Sequence, residues 1–182
     1  KGLLGARPRQ GTWVQPEEQW NMLDPDVLGW LLERKYSPAL LIEFTQMRLA
    51  FEPMAAMLAA EVGTPQAKAA VRAAIERMIA ASRGDDDPLD SDIAFHVAVL
   101  RASGNKFYAQ LRQLIATALR FSIRTTNRYK GVPQASVADH KRIADAILAG
   151  NARAAGDAMR KLVQEVLDLI HKGEAEHRRR RA

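Results

Sequence analysis

The chain has 182 residues, 47% of them apolar and none of them cysteine; this is enough for one good-sized core and excludes disulfides, thiolate nucleophiles and Cys-ligated metal sites. No apolar run approaches the roughly 18 residues of a membrane span, and the start, Lys1-Gly2-Leu3-Leu4-Gly5, lacks the apolar stretch of a signal peptide, so a cytoplasmic protein with no membrane partner is expected. The net charge of +6 belongs to the ends, where Lys1, Arg7 and Arg9 stand without acids and Arg178 to Arg181 close the chain; the nearly neutral body does not read as a phosphate-binding surface.

Residues 1–16 carry Arg7-Pro8-Arg9-Gln10-Gly11 followed by Thr12-Trp13-Val14, a Pro/Gly-interrupted segment with a β-prone end that predicts a hairpin. It is too short to fold alone, which implies that the chain begins inside another domain. Beyond it helix follows helix. Asp24-Pro25 places a cap before proline at the first helical position and opens a short helix to about Glu33. Ser37-Pro38 opens a longer one to about Val62, with a stripe of Leu40, Leu41, Phe44, Phe51, Met54 and Leu58 at three- and four-residue spacing. Gly63 closes it, and Thr64-Pro65 starts a helix ending near Arg83-Gly84. Asp87-Pro88 repeats the cap-plus-proline signal for a helix to Ser103-Gly104.

Asn105 then caps a predicted long helix to about Tyr129, with Phe107, Leu111, Leu114, Ala118 and Phe121 inside, broken by Gly131-Val132-Pro133. A further helix runs to Ala149, Gly150 ends it, and Asn151 caps the last. No run of alternating β-branched residues occurs after the hairpin, so the expected fold is all-α, an antiparallel bundle of six or seven helices with a short β-hairpin at the N-terminus. The divisions are 1–16 for the hairpin, 17–35 for a linker and first helix, 36–176 for the bundle and 177–182 for a basic tail.

Few residues carry chemistry. Asp92 and His96 lie four apart on one helix face, where carboxylate and imidazole can chelate a divalent ion or simply form a hydrogen-bonded pair. His140 falls on the inward stripe Val137, His140, Ile143, Ile147; it is either a satisfied core histidine or a third ligand. The three together would offer one oxygen and two nitrogens with positions left open. His171 and His177 lie near the tail and read as surface residues. Arg48 sits in the stripe Phe44, Arg48, Phe51, Ala55, where a guanidinium needs a partner: Glu43, Glu52 or a ligand carboxylate. Arg124 and Arg128 either close the same pocket or serve as cations at a helix C-terminus. Asp85-Asp86-Asp87 reads as a solvated cap. There is no Gly-x-Ser-x-Gly elbow, phosphate-cradling loop or His-Glu-x-x-His motif, and catalysis is not expected.

Several segments in order resemble one family. Arg48-Leu49-Ala50-Phe51-Glu52-Pro53-Met54-Ala55-Ala56 is similar to an Arg-x-x-x-Glu-Pro-x-Ala-Ala opening, Asp92-Ile93-Ala94-Phe95-His96 to an Asp-x-x-Phe-His motif, and Ala102-Ser103-Gly104-Asn105 to the turn after it. His140-Lys141-Arg142-Ile143-Ala144-Asp145-Ala146-Ile147 and Gly150-Asn151-Ala152 complete the series. Over about residues 17–170 the chain resembles the FCD effector domain of GntR-family regulators, FadR subfamily. Residues 1–14 resemble the wing hairpin of a winged helix-turn-helix, stripped of its recognition helix, and Trp20 to Trp30 is similar to the linker of members that sense sugar acids.

The resemblance implies the sensing and dimerisation domain of a DNA-binding repressor, with Asp92, His96 and His140 as metal ligands. The divalent ion would be Zn, with Ni or Mn as alternatives. The family's fourth ligand, a histidine after an Ala-Met pair, is replaced here by Leu162 in Ala158-Met159-Arg160-Lys161-Leu162, which weakens the site or leaves Asp92 and His96 to bind the effector by hydrogen bonds. A small carboxylate, a sugar or hydroxy acid, would meet Arg48, Arg124 and Asn105. Operator DNA would be contacted only through the missing winged-helix domain, of which Arg7 and Arg9 are the remnant, and the protein would be a homodimer. Two other readings stand beside this one: a metal-dependent enzyme on a helical bundle, and a purely structural dimerisation module.

Overall fold

A computed structural model of the chain describes residues 1–34, 37–132 and 135–179. The first element is a two-stranded antiparallel hairpin, β1 (Leu4–Arg7) against β2 (Gly11–Val14), in register Leu4 to Val14 and Arg7 to Gly11. Its turn places Arg9 and Gly11 at positive φ. Among the described residues a 3₁₀ turn (Glu17–Gln19) leads into eight α-helices: α1 (Pro25–Arg34), α2 (Pro38–Val62), α3 (Pro65–Ala81), α4 (Pro88–Ala102), α5 (Lys106–Gln110), α6 (Arg112–Lys130), α7 (Val137–Leu148) and α8 (Ala152–Arg179). The fold is all-α, as the punctuation of the sequence predicts.

The helix starts follow their caps. Asp24 Oδ1 accepts from the N–H groups of Asp26 and Val27, Ser37 from Leu40, Thr64 from Ala67, Asp87 from Asp90 and Ser136 from Asp139. Each satisfies an orphan donor at a helix N-terminus, and proline at the first helical position of α1 to α4 loses nothing there. Gly150, at φ 73, ends α7 in the left-handed conformation that glycine adopts without a Cβ clash. The predicted helix from Asn105 to Tyr129 is in fact two. Leu111 takes φ −69, ψ −7 and donates its N–H to Tyr108, three residues back, so the chain tightens and turns between α5 and α6. This break raises the helix count above the six or seven expected. It also turns Phe107 outward to 80% exposure, and Met54, assigned to the buried stripe of α2, is 45% exposed.

α2 is the centre of the bundle and packs against α4, α6, α7 and α8. Its Ala55, Ala56, Ala59 and Ala60 are buried, and their small side chains let α8 approach closely. At Gly156 on α8 an added Cβ would lie 2.5 Å from Cγ of Met57. Pro53, inside α2, lacks the N–H that would bond one turn back. α3 and α4 form a helical hairpin and α7 lies against α3 and α8. α1 packs on α6, and Lys1 reaches across from the hairpin to Asp24 (2.8 Å) and Asp26 (2.5 Å). α8 continues to Arg179, past the boundary at 176 expected for the bundle; Arg180, Arg181 and Ala182 lie outside the described residues, as do the side chains of His177 and Arg178. Among the described residues no helix is long and apolar enough to cross a membrane.

Candidate metal and effector site

Three helices bring the site together. α4 carries Asp92 and His96 one turn apart on its inner face, α7 carries His140, and α2 carries Arg48 and Glu52; all five are buried. Phe95, fully buried between them, meets His140 edge-on with ring centroids 5.1 Å apart and His96 at 5.9 Å. These contacts fix both imidazoles with their planes nearly perpendicular (85°).

The hydrogen bonds assign each ring a tautomer. His140 Nδ1 lies 2.8 Å from the carbonyl oxygen of Ser136, which can only accept, so Nδ1 carries the proton. His96 Nδ1 lies 2.8 Å from Glu52 Oε2 and donates to that carboxylate. With both rings neutral, their Nε2 lone pairs converge on one oxygen, Asp92 Oδ1, at 3.4 Å from His96 and 3.3 Å from His140. Asp92 Oδ1 and His140 Nε2 are buried and have no hydrogen-bond partner. Two acceptors facing each other at this distance repel, and a cation placed between them turns repulsion into ligation.

One donor atom from each of Asp92, His96 and His140 lies within 4.8 Å of the others. Ligands about 2.0–2.1 Å from a tetrahedral zinc stand about 3.3–3.4 Å apart, which is the spacing of the Asp92–histidine contacts. The residues therefore fit a divalent ion, with two nitrogens and one oxygen as ligands.

Burial and neighbouring charges oppose each other throughout the cluster. Burial alone would raise the Asp92 carboxyl, but His140 and His96 outweigh it and hold the group well below the usual carboxylate range. Burial also opposes ionisation of Glu52, yet Arg48 and His96 lower it to about 2. For His96 burial lowers the imidazole, and the charge of Glu52 with hydrogen bonding to Asp92 and Glu52 more than offsets it, so its pKa is raised. Arg48 forks onto Glu52, Nε to Oε1 at 2.6 Å and a second nitrogen to Oε2 at 3.2 Å. Of the two acids open to Arg48 in the sequence, Glu52 is the partner.

The cluster forms the floor of a cavity of about 40 Å³ lined also by Ser122, Thr126, Asn127 and Lys130 of α6, Ser136, and Leu162 of α8. Leu162 thus occupies cavity wall, in the place where a fourth histidine was expected. Other sequence candidates lie elsewhere. Asn105 Oδ1 accepts from the N–H groups of Phe107 and Tyr108 and is spent as the cap of α5. Arg124 lines grooves on the outer side of α6, one against α1 beside Asp26, Trp30 and Glu33, the other with Arg128 and Tyr129. The rotation of α6 is the reason: Ser122 and Thr126 take its inner face, leaving Arg124 and Arg128 on the outer one. The polar groups on that inner face escaped the sequence reading because Ser, Thr and Asn carry no distinctive spacing. Of the remaining candidates, Asp86 forms a bidentate pair with Arg77 and Asp87 caps α4, as a solvated cap should. His171 is exposed, as are Arg7 at the end of β1 and Arg9 in the hairpin turn.

The helical bundle thus encloses three buried side chains able to hold a metal ion beneath a small cavity of mixed polar and apolar lining. The sequence profile of the FCD domain matches residues 43–165, and the chain belongs to that family of GntR-type transcriptional regulators. It is 34% identical over 149 residues to the galactonate operon transcriptional repressor of Escherichia coli (strain K12), covering 81% of this chain and 65% of that protein. It is 27% identical over 174 residues to the HTH-type transcriptional regulator LutR of Bacillus subtilis (strain 168), covering 93% and 78%. The chain thus spans less than two thirds of the galactonate repressor's length. A solved structure of Streptococcus agalactiae GntR superposes with a TM-score of 0.61 at 23% identity, over 92% of this chain and 75% of that one, and shares the fold.

Proposed function

We propose that this chain senses a small hydroxy-carboxylate through a divalent ion held by Asp92, His96 and His140, and passes the signal to DNA-binding segments of a transcriptional repressor. The observation that carries the reading is the pair of buried, unpartnered acceptors, Asp92 Oδ1 and His140 Nε2, 3.3 Å apart. When bound, the ion would supply a Lewis-acidic anchor for an anion. The chain's own residues do the rest: Glu52 and the Ser136 carbonyl orient the imidazoles, and Phe95 locks them. Arg48 and Lys130 make the cavity attractive to a carboxylate, and Asn127, Ser122 and Thr126 offer partners to hydroxyl groups. Arg48, Asn127 and Lys130 thus take the ligand-binding role in place of Arg124 and Asn105.

The galactonate repressor's name points to sugar acids as effectors, and a hexonic acid exceeds the space available. At roughly 10–15 Å³ of this volume per water, about 40 Å³ holds an ion's remaining ligands or a small acid. A sugar acid would bind only with α6 drawn away from α7, so it would select a wider state of the bundle. In that reading α6 carries α1, which it packs against, and the hairpin with Arg7 and Arg9 that Lys1 ties to α1. The homodimer expected of this family would convert such a movement into a change of operator affinity.

Metal analysis of protein purified without chelators, followed by titration of Zn²⁺, Ni²⁺ and Mn²⁺ into stripped protein, tests the ion. Titration of glycolate, gluconate and galactonate into the loaded protein tests the effector. One equivalent of ion and metal-dependent acid binding are expected; a stripped protein that takes up none of the three ions refutes the site.

A further inference from the structure

Glu52 is the one member of the buried cluster that neither borders the cavity nor offers an atom to the ion. It lies behind His96, 1% exposed, with one oxygen on His96 Nδ1 and the other on Arg48 Nε. An ionised carboxylate at Nδ1 has two effects on a neutral imidazole: it selects the tautomer whose lone pair is on Nε2, and it makes that lone pair more basic. Arg48 limits the second effect by drawing charge from the same carboxylate. Arg48 also lines the cavity, so an anion seated there and reaching the guanidinium would share Arg48 with Glu52 and release charge toward His96.

We propose that Glu52 is a positioning residue for the metal ligand His96, and that through Arg48 it links metal affinity to the presence of an anion in the cavity. The linkage is reciprocal: the anion tightens the ion and the ion tightens the anion by the same factor. This rests on the metal-site reading above, and the test separates the two.

Metal affinity is measured by competition with a chelator, using Zn²⁺, and by the visible bands of Co²⁺, on wild type and Glu52→Gln, with and without glycolate. The variant is expected to bind one equivalent, ~10–100-fold more weakly, with shifted Co²⁺ bands and a smaller tightening by glycolate. Placed in a His96→Ala background, the same change should cost nothing further, because its only route to the ion has gone. Equal affinity in wild type and Glu52→Gln overturns the proposal, and so does a loss of equal size with and without His96, which marks general loosening of the bundle. Should Glu52→Gln leave Arg48 too poorly paired to fold, Arg48→Met with Glu52→Leu removes both charges at similar volume. Wild-type metal affinity in that pair overturns the proposal as well. A wild-type chain that binds neither Zn²⁺ nor Co²⁺ overturns the metal site itself, and this inference with it.

Discussion

His140→Ala separates ligation from packing. The imidazole is 1% exposed, stacks edge-on against Phe95 and donates to the Ser136 carbonyl. Its removal from the stripped protein leaves a cavity and should cost about 2–4 kcal/mol, the range for truncating a buried side chain. The metal adds a second contribution. At an ion concentration 100-fold above Kd, binding stabilises the native state by about 2.7 kcal/mol, and a chain of this size gains about 2–4 °C in Tm per kcal/mol. The wild type should therefore melt roughly 5–11 °C higher with ion than without. A variant whose Kd has risen 100-fold retains about 0.4 kcal/mol at the same concentration, a shift of about 1–2 °C. Ile147→Ala is the control: Ile147 is fully buried on the same helix and its side chain is purely apolar. It should lower the melting temperature of the stripped protein by a similar amount and keep the full metal shift. Thermal melts of the three proteins with Zn²⁺ and with chelator decide the matter. A His140→Ala protein that keeps the wild-type shift refutes ligation by His140.

Leu162→His supplies an imidazole at a cavity-lining position and should tighten Zn²⁺ by tenfold or more, about 1.4 kcal/mol, read by the same chelator competition; unchanged affinity means that the position does not reach the ion. Lys130→Ala should weaken glycolate about tenfold in the loaded protein, by calorimetry, with metal affinity intact. Acid stability should follow Glu52, whose folded pKa is depressed to about 2 from 4.5. A depressed carboxyl contributes stability above its unfolded value that is lost as pH falls toward the folded one. Denaturant midpoints of the stripped protein should accordingly drop between about pH 4.5 and 2 in wild type. The drop should be flatter in Arg48→Met with Glu52→Leu.

The helices were legible because their boundaries are written in local chemistry. Asp24-Pro25, Ser37-Pro38, Thr64-Pro65 and Asp87-Pro88 each pair a side-chain acceptor with a residue that tolerates the first turn and little else. Leu111 carries no such signal, so the sequence showed one helix where there are two. The triad was legible for a similar reason. Asp92 and His96 are joined by the helical period, and His140 interrupts an apolar stripe where a polar group needs an explanation. What joins α2 to α4 has no period. Glu52 lies 44 residues from His96, and which acid would neutralise Arg48 depended on rotamers at two-residue resolution around α2. Arg124 was misplaced by the same kind of error, since on a helix a shift of two positions reverses the face.

The outward face of Arg124 bears on how a signal could leave the cavity. α6 has Ser122, Thr126 and Asn127 toward the cavity above Asp92, His96 and His140, and Arg120, Phe121 and Arg124 toward α1. It is a single layer between the two. Anything that widens the cavity on the α6 side must move that helix against α1 or carry α1 with it. The groove between them is lined by Gly29, Trp30 and Thr117 and is not closely filled. Small interlayer adjustments are therefore cheap there, in contrast to the α2–α8 contact, where Gly156 leaves no room for a Cβ against Met57. The bundle is closely packed at α2–α8 and loosely packed between α6 and α1. An effector too large for the present cavity would do its work at the loosely packed wall, and a ligand small enough to leave α6 in place would occupy the cavity without changing the protein's shape.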